Sequence, residues 1–185
     1  GETPYSFSRC GNGLALDLDK NIYQELEKDN YWKDRAMRDP WVMKHPYENK
    51  FIMAYTARAS INNDPYQCGV IGMAESNDLY EWQSTKPLFG GLFSQLEVPQ
   101  IFTVKNKWYC LFCNHPEDWS DEFKKNYNGP TKRGTHYLIA DKFDGPWKLA
   151  PGPYLTTSSE IELYAGRVIE KDEKLFFMAF LHDDE

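Results

Sequence analysis

Three copies of one short pattern recur along the chain, and this repeat limits the possible folds more than any other feature of the sequence. Each copy has a polar turn, a lysine and an aromatic-rich apolar run, at 49–55, 106–112 and 173–179. The lysines of successive copies are 57 residues apart (50 to 107) and 67 residues apart (107 to 174). A second apolar pattern alternates with the first, at 13–16, 71–74 and 137–140. A turn and a bulky run, expected to be another strand, follow each copy of the second pattern, at 22–26, 79–82 and 145–149.

Short strands separated by turns, recurring at this period, are typical of the blades of a β-propeller rather than of a β-sandwich. We therefore predict an all-β chain built from four-stranded antiparallel sheets. Propeller blades usually repeat about every 40 to 50 residues. The additional residues of each repeat here lie in two polar insertions, 57–67 and 114–133. Each insertion follows a strand expected near the propeller axis, where loops commonly form binding surfaces. A short helix is expected over 116–128, because acidic residues near its start favour the helix dipole.

The number of repeats is too small for a closed propeller. We predict one partial domain over 1–185, with approximate repeats at 11–56, 69–113 and 134–181. A propeller closes with about four to eight blades, and only three are counted here. The sequence also begins at Gly1 without an initiator methionine. The chain is therefore expected to be part of a longer protein.

Charge and composition disfavour several classes of partner. The formal net charge of −7 disfavours nucleic-acid binding, because that requires a cationic surface. A mean hydropathy of −0.68 excludes a membrane protein. An acidic chain with 16% aromatic residues suits a neutral polyol, either a small molecule or an oligosaccharide. No signal or transit sequence is visible, which favours a cytoplasmic location, and the sequence does not indicate the oligomeric state.

The four cysteines show no pairing pattern. Cys110 and Cys113 have the spacing of a redox or zinc half-site, yet they lie in an apolar run. In a strand they would point to opposite faces, because three is an odd offset on a period of two. Buried, inert thiols are therefore predicted for Cys110 and Cys113, with no metal site.

Asp39 is the first carboxylate in an unusual setting. It lies between Arg38 and Pro40, shortly before the strand-like run 51–56. Proline disfavours helical backbone at the residue before it, so Asp39 is expected on extended or turning chain. An acid held beside Arg38 either serves catalysis or forms a structural ion pair.

Glu97 is the second such carboxylate. It stands between Leu96 and Val98 at the start of a predicted strand. An apolar setting of this kind raises the pKa of a carboxyl group, as a general acid requires, although a hydrogen-bonded structural glutamate fits the same position. Asp39 and Glu97 are 58 residues apart, close to the 57-residue repeat, so we expect equivalent places on neighbouring blades. Two acids facing one pocket suit cleavage of a glycosidic bond.

Four motifs in this order resemble glycoside hydrolase family 32, the group of invertases, levanases and inulinases with a five-bladed propeller. They are Arg38-Asp39-Pro40, Glu97-Val98-Pro99-Gln100, Gly134-Thr135-His136-Tyr137 and Tyr164-Ala165-Gly166-Arg167. The resemblance extends over most of residues 11–181, and it implies that the first blade or blades and the last one lie outside the chain. It implies a retaining β-fructosidase that needs no cofactor.

The resemblance also implies roles for individual residues. Asp39, with Arg38 beside it, would bind fructosyl hydroxyls and stabilise the transition state, and Glu97 would be the acid/base. Most members have a cysteine after this glutamate, whereas this chain has Val98. The nucleophilic aspartate belongs to an Asn-Asp-Pro type of motif in the first blade, which is not found before Asp39. The chain is therefore expected to lack its nucleophile and, for that reason, to be inactive alone.

Several other residues are candidates for substrate binding. Tyr164 and Arg167 flank small residues that let the backbone approach a ligand, and the guanidinium suits an acid or sugar hydroxyls. His136 would donate to a sugar oxygen or be an ordinary core residue. Trp41 and Trp119 are candidate stacking platforms, whereas Trp82, Trp108 and Trp147 are expected in the blade core.

Two alternatives to a β-fructosidase remain open. A missing nucleophile fits a non-catalytic, carbohydrate-binding propeller fragment. Related five-bladed propellers cleave arabinosides or xylosides, and the sequence does not distinguish these sugars.

Overall fold

The computed structural model describes residues 5, 6, 8, 13–25, 31–61, 63–152, 154–155 and 160–182. The strands of this part form two four-stranded antiparallel sheets and one two-stranded sheet. The first sheet has the order β1 (Met37–Lys44), β2 (Phe51–Arg58), β3 (Gly69–Ser76) and β4 (Gln83–Gly90). The second has the order β5 (Glu97–Val104), β6 (Lys107–Asn114), β7 (Gly134–Ala140) and β8 (Lys148–Leu149). The third pairs β9 (Glu162–Lys171) with β10 (Lys174–His182). The prediction of an all-β chain with four-stranded antiparallel sheets is confirmed.

The repeated lysines mark the ends of hairpin turns. Lys105 and Asn106 both have a positive φ (49° and 64°), and so do Asp172 and Glu173 (53° and 59°). Two-residue hairpin loops favour this backbone because it follows the twist of the strands. The lysine after each of these turns begins β6 or β10. The turn between β1 and β2 is longer and spans 45–50, so the three copies differ in hairpin length.

The predicted repeats do not coincide with the sheets. The repeat 69–113 contains β3 and β4 from the first sheet and β5 and β6 from the second. Residues 22–25 form no strand, and 79–82 lie in a turn, so these two predicted strands are wrong. In both places an aspartate organises a turn: the carbonyl of Asp19 and the carboxylate of Asp78 accept from the backbone N–H groups that follow them. The single-domain assignment stays a prediction.

One hydrophobic core joins the two four-stranded sheets. Its fully buried members come from both sheets and from the segment between them: Ile52, Ile71, Phe93, Phe112 and Leu138. Burying a side chain of this size contributes about 1.5–3 kcal/mol. Trp108 and Trp147 pack against this core, and Trp82 packs against a smaller cluster beside the first sheet, as predicted. The sheets therefore hold one another in place.

The insertion between β6 and β7 covers the same core. It contains a 3-10 turn (Pro116–Asp118) and one helix, α1 (Asp121–Asn126), which is shorter than predicted. The Ser120 side chain caps α1 by accepting from the N–H of Phe123. Trp119 is only 2% exposed, and its indole N–H donates to Asn114 at 3.0 Å. The prediction of Trp119 as a sugar platform is wrong, because the insertion turns this side chain into the core. Neither this helix nor any other in the described segments is long and apolar enough to cross a membrane.

The described cysteines, Cys68, Cys110 and Cys113, are buried. Cys110 and Cys113 are free, and burial raises the pKa of their thiols. Both faces of β6 are covered, so both of its cysteines are buried although they are an odd number of positions apart. The prediction of buried thiols is confirmed for Cys110 and Cys113, and Cys10 lies outside the described residues.

Candidate active site

A bulge interrupts the pairing of the first strand in each sheet. The register shifts between Arg38 and Trp41 in β1, between Glu97 and Gln100 in β5, and between Tyr164 and Arg167 in β9. The second residue of each bulge has a positive φ: 57° at Asp39, 52° at Val98 and 53° at Ala165. The three predicted motifs at 38–41, 97–100 and 164–167 are therefore one structural feature repeated in three sheets.

The bulges determine which positions are equivalent. Asp39 corresponds to Val98, and Arg38 corresponds to Glu97. The prediction that Asp39 and Glu97 occupy equivalent places is wrong by one residue. The turn after β1 is longer than the turn after β5. The spacing of the lysines that follow these turns therefore does not give the positions that are equivalent in β1 and β5. Asp39 and Glu97 nevertheless lie on neighbouring bulges.

The first residues of the three bulges meet at one point. The Arg38 guanidinium contacts Oε1 of Glu97, and the Tyr164 hydroxyl donates to Oε2 of the same carboxylate. The Arg38 and Glu97 side chains are 35% and 18% exposed, so this ion pair is partly open to solvent. A carboxylate offers about four lone-pair sites. Each oxygen of Glu97 therefore keeps one site for a ligand after binding its protein partner.

Asp39 is held through one oxygen. Its Oδ2 accepts from Oγ1 of Thr56 at 2.9 Å and from the N–H of Val98 at 3.3 Å. Nε of Arg38 lies 3.7 Å from the same oxygen. Among the residues described, Oδ1 makes no hydrogen bond, and the side chain is 28% exposed. The arrangement fixes the direction of the carboxylate and leaves one oxygen for a ligand.

Burial keeps Tyr164 protonated. Desolvation first, and then the charge and hydrogen bond of Glu97, raise the pKa of the Tyr164 phenol. Its ring also packs edge-on against the imidazole of His115, with centroids 4.9 Å apart. Tyr164 therefore remains a hydrogen-bond donor to Glu97 across the whole neutral pH range.

Arg167 supports the bulge of the neighbouring sheet. It donates to the carbonyls of Val98 and Pro99, the latter at 3.0 Å, and lies 5.5 Å from the ring centre of Trp41. Burial lowers the pKa of its guanidinium, which still carries its charge at neutral pH. The Trp41 indole N–H donates to the carbonyl of Ile101 at 3.2 Å. Trp41 and Arg167 thus lie beside the two carboxylates, and their part in substrate binding stays a prediction.

Sequence reasoning missed three residues that hold the site. Gln95 accepts from Arg38 and donates to Asp118 at 3.4 Å, and Asp118 is only 6% exposed. Thr56 lies opposite Arg38 in the β1–β2 pair and binds Asp39. Gln95, two residues before Glu97, was recognisable only by its proximity to that motif. Thr56 and Asp118 approach the site through strand pairing and the folded insertion, for which no local pattern exists.

His136 lies away from this site. It is 3% exposed and surrounded by aromatic rings, with the Tyr154 centroid 4.0 Å and the Phe112 centroid 5.5 Å from its own. Its Nε2 has no hydrogen-bond partner among the described residues, and burial lowers its pKa to about 3. The prediction that His136 binds a sugar oxygen does not fit this position, because β7 turns the ring into the core.

Known proteins share this fold. The sequence profile of the glycosyl hydrolases family 32 N-terminal domain matches residues 15–182. Levansucrase from Rahnella aquatilis is 26% identical over 174 residues, aligning 80% of this chain with 39% of its own length. Inulosucrase from Halalkalicoccus jeotgali, solved with kestose bound, superposes with a TM-score of 0.74 at 22% identity over 90% of this chain and 44% of its own. A levansucrase mutant from B. subtilis gives a TM-score of 0.67 at 16% identity over 91% of this chain and 49% of its own.

The chain thus spans less than half the length of these relatives. Its all-β architecture is that of about three blades of a five-bladed β-propeller, as predicted. Since the family profile covers nearly the whole sequence, the chain belongs to glycosyl hydrolase family 32, as part of the N-terminal domain of that family.

Proposed function

We propose that this chain carries the acid/base and the transition-state stabiliser for the hydrolysis of β-fructosidic bonds with retention. The proposal rests above all on the meeting of Asp39 and Glu97 at two neighbouring bulges, each held by the protein and each with room for a ligand. Two carboxyl groups flanking the bond are the usual requirement for glycoside hydrolysis. The relationship to levansucrase and to an inulosucrase solved with kestose supports a fructosyl substrate.

Glu97 is proposed as the general acid and base. It protonates the oxygen of the leaving sugar, and in the second step it takes a proton from the attacking water. Arg38 and Tyr164 orient the carboxyl group from two sides, so that no reorientation is needed between these steps. Positioning of this kind is a large part of what an active site contributes to the rate.

Asp39 is proposed as the stabiliser. Its Oδ1, to which no described residue donates, would accept from fructosyl hydroxyls, while Oδ2 is held by Thr56 and Val98. The negative charge would stabilise the positive charge that develops on the sugar ring in the transition state. Since its direction is already fixed, this stabilisation requires little rearrangement during the reaction.

The nucleophile is proposed to lie outside residues 1–185. Retention requires a third group that attacks the anomeric carbon and forms a covalent glycosyl intermediate. Tyr164 and Arg38 hold Glu97 for proton transfer, and Asp39 takes the stabilising role, so neither carboxylate of this cluster is left to attack. The chain by itself should then bind a fructoside without turning it over.

Fructose release from sucrose and levan tests the proposal. The assay uses the longest natural polypeptide that contains this chain, together with its Glu97→Gln variant. We expect a rate at least about 100-fold lower for the variant, because the proton donor is lost. Glu81→Gln, on an exposed turn, is the matched control and should be unchanged. Retention is checked by adding methanol, which should give the β-methyl fructoside.

The same experiment separates the alternatives. Sugar binding with no release of fructose by the longer polypeptide would indicate a carbohydrate-binding module. Release of arabinose or xylose from the corresponding aryl glycosides, with fructosides left intact, would keep the site and change the sugar. Equal rates for the Glu97→Gln variant and the parent would overturn the role of Glu97.

A further inference from the structure

Three aromatic side chains form a cluster on the surface beside the candidate active site. Tyr31, Trp32 and Tyr66 pack against one another, with ring centroids 5.1 Å apart for Tyr31 and Trp32, and 5.4 Å apart for Trp32 and Tyr66. The hydroxyl groups of Tyr31 and Tyr66 are 3.1 Å apart. Tyr31 is 61% exposed. We call these three residues the aromatic rim.

Side-chain contacts connect the aromatic rim to Arg38. The Arg58 guanidinium lies 5.0 Å from the ring centre of Trp32, and it donates to Oδ1 of Asp34 at 2.6 Å. Oδ2 of Asp34 is 3.9 Å from the guanidinium of Arg38, which contacts Glu97. Arg58 is 3% exposed, whereas the Asp34 side chain that it binds is 51% exposed. The aromatic rim is therefore connected to Arg38, which contacts Glu97 and also lies 3.7 Å from Asp39.

The two long insertions meet at the aromatic rim. Tyr66 belongs to the insertion between β2 and β3, and the ammonium of Lys124 in α1 lies 5.8 Å from its ring centre. Gln67 donates to Glu122 at 3.1 Å, which links the same two segments. The indole N–H of Trp32 donates to the carbonyl of Pro65 at 2.9 Å and holds the ring in place. The result is a preformed surface with exposed aromatic area and several polar groups around it.

A surface of this composition suits a carbohydrate chain. Aromatic side chains offer a rigid apolar face at little cost in conformational entropy, and the tyrosine hydroxyls add hydrogen bonding at the edge. Charged groups of both signs lie nearby: Lys124 is close to the Tyr66 ring, and Glu122 binds the adjacent Gln67. The surface therefore carries no strong charge of one sign that would select an ionic ligand. Neutral sugar units have both the apolar C–H faces and the hydroxyl groups that such a surface binds.

We propose that the aromatic rim binds the sugar units of a fructo-oligosaccharide that lie beyond the leaving oxygen, and so sets a preference for chains longer than a disaccharide. This inference rests on the proposed β-fructosidase function, because Glu97 defines which side of the site holds the leaving group. Tyr31 supplies the exposed ring on which a sugar packs. Trp32 and Tyr66 pack against that ring.

Tyr31→Ala tests the inference through binding of two probes, sucrose and a purified levan oligosaccharide of five or more units. Titration calorimetry is done with the 185-residue chain. The dissociation constant of Tyr31→Ala for the oligosaccharide is expected to be about five- to tenfold higher than that of the parent, since one aromatic contact is lost. The value for sucrose should change less than twofold. Tyr31→Phe, which keeps the ring, should bind the oligosaccharide within about twofold of the parent.

Tyr47→Ala is the matched control. Tyr47 is also 61% exposed but lies in the turn between β1 and β2, at the opposite end of these strands. It should leave both dissociation constants unchanged. An equal loss of affinity for sucrose and the oligosaccharide in Tyr31→Ala, or no loss for either, would overturn the inference.

The design keeps this inference distinct from the proposed function. If the longer natural polypeptide releases no fructose but Tyr31→Ala still weakens oligosaccharide binding selectively, the aromatic rim stands and the hydrolase proposal fails. If fructose is released with equal kcat/KM for short and long substrates in the parent and in Tyr31→Ala, the hydrolase stands and the aromatic rim has no role.

Discussion

Two regions of this molecule hold polar side chains in opposite environments, one partly open to solvent and the other buried among aromatic rings. At the bulges, Arg38, Asp39 and Glu97 are partly exposed, and each charged group has a partner. On the core side of β7, His136 is 3% exposed among aromatic rings, and its Nε2 has no partner in the described part of the chain. Both regions were predicted to contact the substrate from sequence motifs of similar appearance.

The difference shows what distinguishes a site from a core. A buried ionisable group without a partner is kept neutral, because the charged form loses its hydration and gains nothing in return. A group at a bulge keeps access to solvent, and the interrupted strand pairing aims its side chain at a neighbouring sheet. The motif identifies the residue type, whereas the strand position determines whether that residue meets a ligand.

The largest expected effect is the loss of stabilisation by Asp39. In the longer natural polypeptide, Asp39→Asn should lower kcat for sucrose by about 100- to 1000-fold, as removal of one group that stabilises developing charge typically does. The amide keeps the size of the side chain and its contact with Thr56, so thermal unfolding should shift little. His136→Asn, at the other region, is the contrasting variant: it should lower stability without a comparable effect on kcat in the folded enzyme. A kcat for Asp39→Asn within threefold of the parent would contradict the comparison.

The acid dependence of stability tests the other region. Burial lowers the pKa of His136 to about 3, while the unfolded chain has the ordinary value of about 6.5. Below about pH 6.5, His136 takes up a proton in the unfolded chain but stays neutral in the folded one. The free energy of unfolding therefore has its full value above that pH and declines as the pH falls toward 3. Between pH 6.5 and 5, the free energy of unfolding measured in urea should therefore fall by about 2 kcal/mol less in His136→Phe than in the parent. The same slope in both proteins would show that His136 titrates normally in the fold.

The comparison also shows how far the sequence alone could lead. The propeller class was accessible from the sequence, and so were the motifs that contain Arg38, Glu97 and Tyr164, because the first strand of each sheet has the same bulge. The inward direction of Trp119 was not accessible, since it depends on how the insertion folds, and there Trp119 packs against Phe123 of the same insertion. The correct register between blades was also hidden, because it depends on the length of the turn after β1. Local patterns predicted most of the strands but not all of them, while the turns and insertions between the strands decided which side chains meet.

A smaller effect is expected at the third residue of the bulge in β9. The other two sheets have Pro40 and Pro99 at this place, whereas β9 has Gly166. A Cβ on Gly166 would lie 2.7 Å from Cε2 of Phe177 and 2.8 Å from Oγ1 of Thr135. Gly166→Ala should therefore destabilise the chain by about 1–3 kcal/mol through overpacking, measured by urea unfolding.

Gly152→Ala is a contrast to this variant, because a Cβ there would meet no atom within 4 Å. Its φ of 96° disfavours any other residue, so a cost from backbone strain alone is expected. Gly166→Ala has no such strain, and its cost comes from contact. Equal stability of the Gly166→Ala variant and the parent would mean that Phe177 moves aside freely and that the bulge in β9 needs no glycine.

The smallest effect is expected at the second bulge residue of β5. Val98 has a φ of 52°, a backbone region that a β-branched residue rarely adopts. Val98→Gly should relieve this strain and stabilise the chain by about 0.5–1 kcal/mol, after allowance for the greater freedom of glycine in the unfolded state. The N–H that Val98 donates to Asp39 and the carbonyl that accepts from Arg167 are both kept. Oligosaccharide binding should then stay within about twofold of the parent, whereas a loss of binding together with a gain in stability would show that the valine side chain itself, and not only its backbone, shapes the site.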